Sequence, residues 1–538
     1  MSLFGLFDIS KSALFASQTA LSVTSHNIAN VNTPGFCRQE AIFEVASPAV
    51  LRDGFLGRGV TISGIRRYYD KFIQTQLLGQ FQNHGRSLAL NQTLSQIEQL
   101  FNEAKNIGLS DPLMDFFNAW QEVASNPEGF TQRNLLLQKA KSLVLTAKQV
   151  ERGITNTLRN INDEIDNAVN RVNSIASEIA ALNGKIVQVE AGGTESANDL
   201  RDQRDMLLNE LSNLVNFSSY EDENGSTTVI VGMRNLVYRE ETNNFSTRIN
   251  EDGDKELYLD GINITANIVK GKLGGFLAAR ADIKTGSLNA LQRLIASLIK
   301  EINLLHRDGY GLDGTTGNDF FTSLQLSIRD FSSGADMAAS ITDLSQLTLD
   351  EYNVQFDAAN NYYVYNRQTG ALVTSGAYVS GNPTTFDGIE LIITGAITPQ
   401  DRFSVSPLTD AIKNFDVTIT DQQKIAAATD NAALPGDNTN ALRIVQLSDA
   451  AVTNLGDSTF SSYYRDLVSS IGSMGRAASD SLTFDENLLS ELNNRRESLS
   501  GVSLDEEAAN LIRFQRSFEA AARMIKATDE LLQTILSL

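Results

Sequence analysis

The residues best able to do chemistry in this 538-residue chain are few. There is one cysteine, Cys37, and there are three histidines, His26, His84 and His306, far apart in sequence. A single thiol rules out an intramolecular disulfide framework and makes a thiolate metal site a poor prospect. Each histidine reads as a polar residue near a helix end rather than as a metal ligand. The loop Asp308-Gly309-Tyr310-Gly311-Leu312-Asp313-Gly314 has the aspartates and glycines of a cation loop. It lacks the ligand spacing and closing Glu of a Ca²⁺ hand, so a tight helix-to-strand turn is expected. No Gly-x-Ser-x-Gly elbow, phosphate-loop lysine, HExxH or CxxC occurs. The expectation is a chain with no catalytic residues, no cofactor and no metal, and hence not an enzyme. Its side chains are spaced for association instead.

That spacing is clearest at the two ends. Phe7, Leu14, Leu21 and Ile28 recur every seven residues, with Ser10, Ser17 and Thr24 between them. Leu511, Phe514, Phe518, Ala521, Ile525, Thr528, Leu532 and Ile535 recur three and four apart almost to the last residue. Narrow apolar stripes of 3.5-residue period are how one helix addresses another in a coiled coil. The first seam is weak, because only every other position carries a large side chain. The second has alanines that raise helix propensity and Asp505, Glu506 and Glu507 in its first turn, suited to the positive end of the helix dipole. We expect the two ends to pair with each other and then to pack against copies in neighbouring subunits, with Leu14, Leu21, Ile28, Leu511, Phe514, Phe518, Ile525 and Leu532 as the assembly interface. The terminal segments are expected to be largely disordered in the single chain and to fold on packing.

The elements that must position these seams follow from the pattern between them. Residues 8 to 31 read as a helix stopped by Asn32-Thr33-Pro34-Gly35. Residues 38 to 66 read as loops or a small hairpin, 68 to 104 as helix, and Asp111-Pro112 as the start of a helix through Trp120. From Leu137 to Val189 apolar residues alternate four and three apart over more than seven heptads, broken at Glu151. That predicts a rod of ~80 Å. Further helices are predicted over 195–215 and 270–306, with acidic-turn hairpins over 217–268. Strands at about ten-residue intervals over 307–435, among them Tyr352 to Phe356, Tyr362 to Asn366, Leu391 to Thr394 and Val417 to Thr420, suggest an inserted β-sandwich or barrel. Helices return from about 439. The fold class is multidomain α+β, a long α-helical coiled-coil core built from N- and C-terminal segments with an inserted β-rich outer domain. Its expected parts are 1–66 with 500–538, 67–306 with 436–499, and 307–435.

Composition bounds the partners. The net charge of −21 argues against nucleic acid. Residues 1 to 60 carry four acids and four bases, and 501 to 538 carry six acids and four bases, so −19 of the charge lies between the ends. Nearly neutral ends can approach their own kind while an acidic body stays solvated. No run reaches the ~20 apolar residues of a membrane span, so no membrane insertion is expected. The opening MSLFGLFDISKSALF has no basic leader before an apolar core, and a cleavable secretory signal is not expected.

The stretch Ser25-His26-Asn27-Ile28-Ala29-Asn30-Val31-Asn32-Thr33-Pro34-Gly35-Phe36 resembles the N-terminal signature of bacterial flagellar rod, hook and hook-associated proteins. Gly501-Val502-Ser503-Leu504-Asp505-Glu506-Glu507-Ala508-Ala509-Asn510-Leu511-Ile512-Arg513-Phe514-Gln515 resembles their C-terminal signature. Leu200-Arg201-Asp202-Gln203-Arg204-Asp205 and Asn303-Leu304-Leu305-His306-Arg307-Asp308-Gly309, with Asp319-Phe320-Phe321, narrow the resemblance to the members at the hook–filament junction. Cys37 stands where a small polar residue is expected. By resemblance the chain is a self-assembling structural subunit of the extracellular flagellum, exported by the flagellum's own type III apparatus without a cleaved signal. The hook protein, a second junction protein and an export chaperone on the C-terminal helix are its implied partners. Asn27, Asn30 and Asn32 are expected to satisfy carbonyls at the helix end, with Thr33, Pro34 and Gly35 forcing the turn. The alternatives are another flagellar axial protein, such as the second junction protein or flagellin, or a secreted adhesin or enzyme with its activity in 307–435.

Overall fold

A computed structural model describes residues 3–51, 54–102, 108–192 and 196–537. The chain divides into two compact units, one of residues 1–91, 162–278 and 478–538, the other of 92–161 and 279–477.

In the first unit, helix α1 (Leu3–Ala29) leads into an antiparallel hairpin of β1 (Gln39–Val45) and β4 (Val60–Arg67), with the short pair β2 (Ala49–Leu51) and β3 (Gly54–Leu56) at its tip. Its register runs from Gln39↔Arg67 to Val45↔Val60, with a bulge at Ile42/Phe43. Helix α2 (Lys71–Leu100) meets α9 (Phe460–Ser500) through Ile73, Leu77, Leu489 and Leu492. Within this helix pair the carboxylate of Asp485 accepts hydrogen bonds from Gln80 (2.7 Å) and Ser87 (2.6 Å), so its burial leaves neither oxygen unbonded. Helix α5 (Asn198–Leu214) follows, then a four-stranded sheet in the order β5 (Ser218–Glu221), β6 (Thr227–Val231), β7 (Arg234–Tyr238), β8 (Glu241–Thr242). A three-stranded sheet of β9 (Phe245–Ile249), β10 (Lys255–Leu259) and β11 (Ile262–Asn263) completes the hairpins predicted over 217–268. The last helix, α10 (Leu504–Leu536), packs along α1.

The second unit holds α3 (Ser110–Ser125), α7 (Asn289–Asp308), α8 (Thr439–Gln446) and a cluster of rings. Phe116, Trp120, Phe320, Phe321 and Phe415 stand at centroid separations of 4.8–6.5 Å. Eight strands lie over residues 327–406 in two sheets. One runs β12 (Ser327–Asp330), β19 (Arg402–Ser406), β14 (Tyr352–Phe356), β15 (Asn361–Asn366), β16 (Leu372–Ala377); the other runs β13 (Ala335–Ile341), β18 (Ile389–Gly395), β17 (Pro383–Phe386). Alternate residues Tyr352, Val354, Phe356 and Ile389, Leu391, Ile393 are buried, as one-sided strands require. Tyr352 meets Phe386 of the other sheet at 5.0 Å.

Helix α4 (Phe130–Glu190) is the long rod, 61 residues and about 90 Å. Its predicted seam is buried at Leu137, Ala140, Val144, Ala147, Ile154 and at each seam position from Ile161 to Ile186, while Glu151 and Leu158 are half-buried and Val189 exposed. Leu136, Leu143 and Val150 are buried as well, so the buried stripe is wider there than a two-helix seam.

Three expectations differ from the structure. Val417 to Thr420 is no strand but a single bridge, Phe321↔Val417, closed by the Thr322 N–H donating to the Asp416 carbonyl and the Thr418 N–H to the Phe320 carbonyl. The predicted 270–306 helix is interrupted by a π turn at Ile283–Leu288 between α6 (Gly271–Asp282) and α7. And the ends, expected to be largely disordered in the single chain, are regular helices: α1 and α10 pack along each other, the pairing of the two seams that the sequence calls for.

Candidate assembly site

The motifs of residues 25–36, 200–205 and 501–515 meet in one knot of hydrogen bonds within the first unit. Asn27, on the last turn of α1 and 1% exposed, reads the backbone of β1 as a strand neighbour would. Its Oδ1 accepts from the Gln39 N–H (3.0 Å) and its Nδ2 donates to the Gln39 carbonyl (2.8 Å). The same Nδ2 donates to Glu507 Oε2 (3.2 Å) in the first turn of α10. The other oxygen of Glu507 accepts from Arg38 Nε at 2.7 Å, and Arg38 Nη1 donates to Glu506 at 2.8 Å. Arg38 also ties its own backbone across the α9–α10 junction, its N–H donating to the Ser500 carbonyl (2.9 Å) and its carbonyl accepting from Tyr68 (2.8 Å). Glu507 is 2% exposed, and a buried carboxylate is tolerated only with such partners. Ser503 caps α10, its hydroxyl accepting from the Glu506 N–H.

Helix α5 holds the other side. The Cys37 N–H donates to Asp202 (2.9 Å), and Arg67 donates to both Asp202 (2.7 Å) and Asp205 (2.8 Å). Burial pushes both carboxyls up despite Arg67 beside them. Burial, with Asp202 adjacent, also pushes the Cys37 thiol up to about 12, so it stays protonated and is no nucleophile. Gln39 Nε2 donates to Asp199 (2.7 Å), and His26 Nε2 lies 3.3 Å from the same carboxylate. Gly35 has φ +79°, and a Cβ there would stand 2.4 Å from the Met206 side chain, so both backbone and space require glycine.

The sequence-predicted residues divide accordingly. Asn30 behaves as expected, its Nδ2 donating to the His26 carbonyl at 3.0 Å while its Oδ1 accepts from Thr33 (3.0 Å). Asn27 does not satisfy its own helix end; it joins three elements instead. Asn32, Thr33 and Pro34 are exposed on the loop. Leu14, Leu21 and Ile28 are half-buried, whereas Ser10, Ser17, Ala20 and Thr24 are buried, so the small half of the α1 seam is the packed half. Ser10 donates its hydroxyl to the Leu6 carbonyl (2.8 Å) and Thr528 to Met524 (2.8 Å), which lets these side chains be buried without a polar debt. On α10, Ala521 and Thr528 are buried, while Leu511, Phe514, Phe518, Ile525 and Leu532 are half-buried and Ile535 is 54% exposed. Phe514 is partly used within the chain, packing on Ala20, Val23 and Ala41 and stacking on Phe43 at 5.8 Å.

A second set of exposed apolar side chains lies outside the predicted seam: Met524 and Leu531 on one face of α10, Ile512 on another face of the same helix, and Phe15 on α1, each 42–54% exposed. Only the seven-residue step from Met524 to Leu531 signals part of it in the sequence. Among the described residues no group of histidine, cysteine, aspartate and glutamate side chains is disposed to hold a metal ion, and no helix is long and apolar enough to cross a membrane.

Family models match the chain over most of its length. They are the flagellar hook-associated protein FlgK helical domain (residues 94–321), the flagellar hook-associated protein 1 D2-like domain (328–407), the flagella basal body rod protein (7–36) and the flagellar basal body rod FlgEFG protein C-terminal model (496–538). Flagellar hook-associated protein 1 of Escherichia coli (strain K12) is 30% identical over 99% of each chain. The proteins of the same name from Salmonella typhimurium (29%, 99% of each) and Bacillus subtilis (28%, 98% of this chain and 97% of that one) are similar throughout as well. Among solved structures, the flagellar hook junction protein FlgK from Burkholderia pseudomallei has a TM-score of 0.66 at 18% identity, covering 79% of this chain and all of its own, a likeness of fold.

Proposed function

The chain belongs to the flagellar hook-associated protein 1 family, and from that premise we propose that it is the structural subunit joining the hook of the bacterial flagellum to its filament. It is a component of the extracellular flagellum that works through contacts with other flagellar proteins. Its nearest partners in this reading are copies of itself, the hook protein and the second junction protein. Export through the flagellar type III route follows an export chaperone that covers α10. The role is structural and calls on no enzymatic step.

One observation carries the reading: the three motifs of the resemblance, distant in sequence, converge on the knot that holds α1 beside α10 and leaves large apolar side chains of both helices exposed. Pinned this way, the paired ends present one defined surface, and each copy supplies apolar area that the next lacks. Leu14, Leu21, Ile28, Leu511, Phe518, Ile525 and Leu532 are half-buried along the pair, leaving area for that contact. Residues 1–66 with 500–538 serve assembly, the long helices of 67–306 and 436–499 carry load, and 307–435 supplies the outer face. The test is a chain lacking residues 505–538, produced in cells without their own copy. The helices of the second unit should form, and filaments should fail to attach. Normal swimming by those cells would overturn the proposal.

A further inference from the structure

The second unit contains a cavity of about 870 Å³ that the junction role does not use. Its walls are the π turn Ile283–Leu288 with the start of α7, the turn around Thr453–Leu455, the first turns of α9, and the loops at Thr348–Asp350 and Gln368. The volume lies near the upper end of small-molecule sites, about 300–1,000 Å³.

The lining is unlike that of an apolar ligand site. Six planar polar side chains line it, those of Asn289, Arg293, Asp350, Gln368, Asn454 and Asp466, with the ring of Tyr463 and the flanks of Leu455 and Leu467 between them. Arg293 and Asp350 stand 3.7 Å apart, and Asp350 also accepts from Asn366 (3.0 Å), which fixes two of the six in place. The π turn supplies a second, independent observation. Ser287, 1% exposed and part of the cavity wall, has a hydroxyl with no partner among the described residues. A π turn interrupting an α-helix, with an unbonded buried hydroxyl in it, is a local cost of a kind often found at binding sites.

We propose that this cavity binds a neutral oligosaccharide. A ligand covered in hydroxyls that both donate and accept matches planar amide, carboxylate and guanidinium groups, and the apolar face of a sugar ring matches Tyr463. Arg293 against Asp350 and Asp466 leaves the lining with a net charge of −1, which disfavours polyanions. No lining residue belongs to a strand, so an extended peptide finds no sheet edge to join. The inference goes beyond the junction role and does not depend on it.

The test uses the purified full-length chain, titrated calorimetrically with maltotriose, cellotriose and triacetylchitotriose and, separately, with a polar hexapeptide. At least one trisaccharide should bind. Arg293→Ala and Tyr463→Ala should each weaken it about tenfold or more, the loss of one charge-assisted bond or one stacking face. Ser470→Trp, which fills the mouth while removing none of these groups, should abolish binding without altering the thermal midpoint. Lys413→Ala, outside the lining, should leave it unchanged. Absence of saccharide binding at millimolar concentration, binding that survives Ser470→Trp, or tighter binding of the peptide would overturn the proposal.

Discussion

His306 shows how a residue that looks reactive in a sequence can be structural. Its Nε2 accepts from the Ala426 N–H (3.0 Å), which leaves Nδ1 as the donor to the Asn318 carbonyl (2.7 Å) and fixes a neutral ring. Burial lowers its pKa from an ordinary 6.5 to about 4, with Asp319 and Arg133 as the charged groups nearby. Above pH 6.5 the ring is neutral in folded and unfolded chains alike and its full stabilisation is present. As pH falls below 6.5 the unfolded chain takes up a proton that the folded chain refuses until about pH 4. Stability therefore falls by about 1.4 kcal/mol per pH unit, ~3 kcal/mol in all, and levels off below pH 4. The lone Trp120 lies 6.4 Å from His306, so its fluorescence reports on this region. Urea unfolding followed at Trp120 should lose stability from pH 6.5 to 4, and His306→Gln should flatten that slope; equal slopes would refute the assignment. Arg133 belongs to the same class. It is buried, donates to the carbonyls of Pro127, Gln422 and Ile425, and has its pKa lowered by burial to about 10, with Asp313 opposing the shift.

At the scale of elements, the pairing of α1 with α10 inverts a coiled-coil rule. A heptad pattern with large residues at one seam position and serine or threonine at the other reads as a weak seam, in which Ser17→Leu should help. In the structure Ser17 is 6% exposed on the packed side of α1, and the small side chains are what let the helix lie close to its neighbours. Ser17→Leu should then overpack the contact and cost about 1–3 kcal/mol, seen as faster amide exchange in both α1 and α10. Slower exchange would restore the simpler seam. Helix positions and the β-rich segment were legible because periodicity and turn residues are local properties. The α4 seam is correct nearly position by position, and the strands Tyr352 to Phe356 and Tyr362 to Asn366 fall where alternation puts them. The site was legible only in part. A seam says which residues face a partner, not whether that partner is another segment of the same chain, and nothing local reveals that Asn27 bonds to a glutamate 480 residues away. The π turn had a local signal, Thr285-Gly286-Ser287 inside the helical run, but the apolar spacing that resumes at Leu288 hides the break.

For the whole molecule the consequential feature is how charge and apolar area are shared out. A body holding −19 of the net −21 keeps single copies apart in solution, so association has to come from the near-neutral ends. Removing α10 outright is a blunt probe of that, because it also strips Arg38 and Asn27 of Glu507 and leaves buried groups unpaired. Ile512 and Leu531 make a finer one. They are 52% and 51% exposed on α10, outside the face turned to α1, so Ile512→Asp and Leu531→Asp should change the stability of the single chain by little more than about 0.5 kcal/mol each. In an assembled ring the same positions lose about 1.5–3 kcal/mol of apolar burial apiece and bury a carboxylate as well, and the loss recurs at every copy around the ring. The double variant should therefore show the helix content and unfolding midpoint of the parent chain, remain a single copy in sedimentation, and leave cells without attached filaments. Intact filaments on cells carrying it would mean that the exposed apolar side chains of α10 are not where neighbouring copies meet.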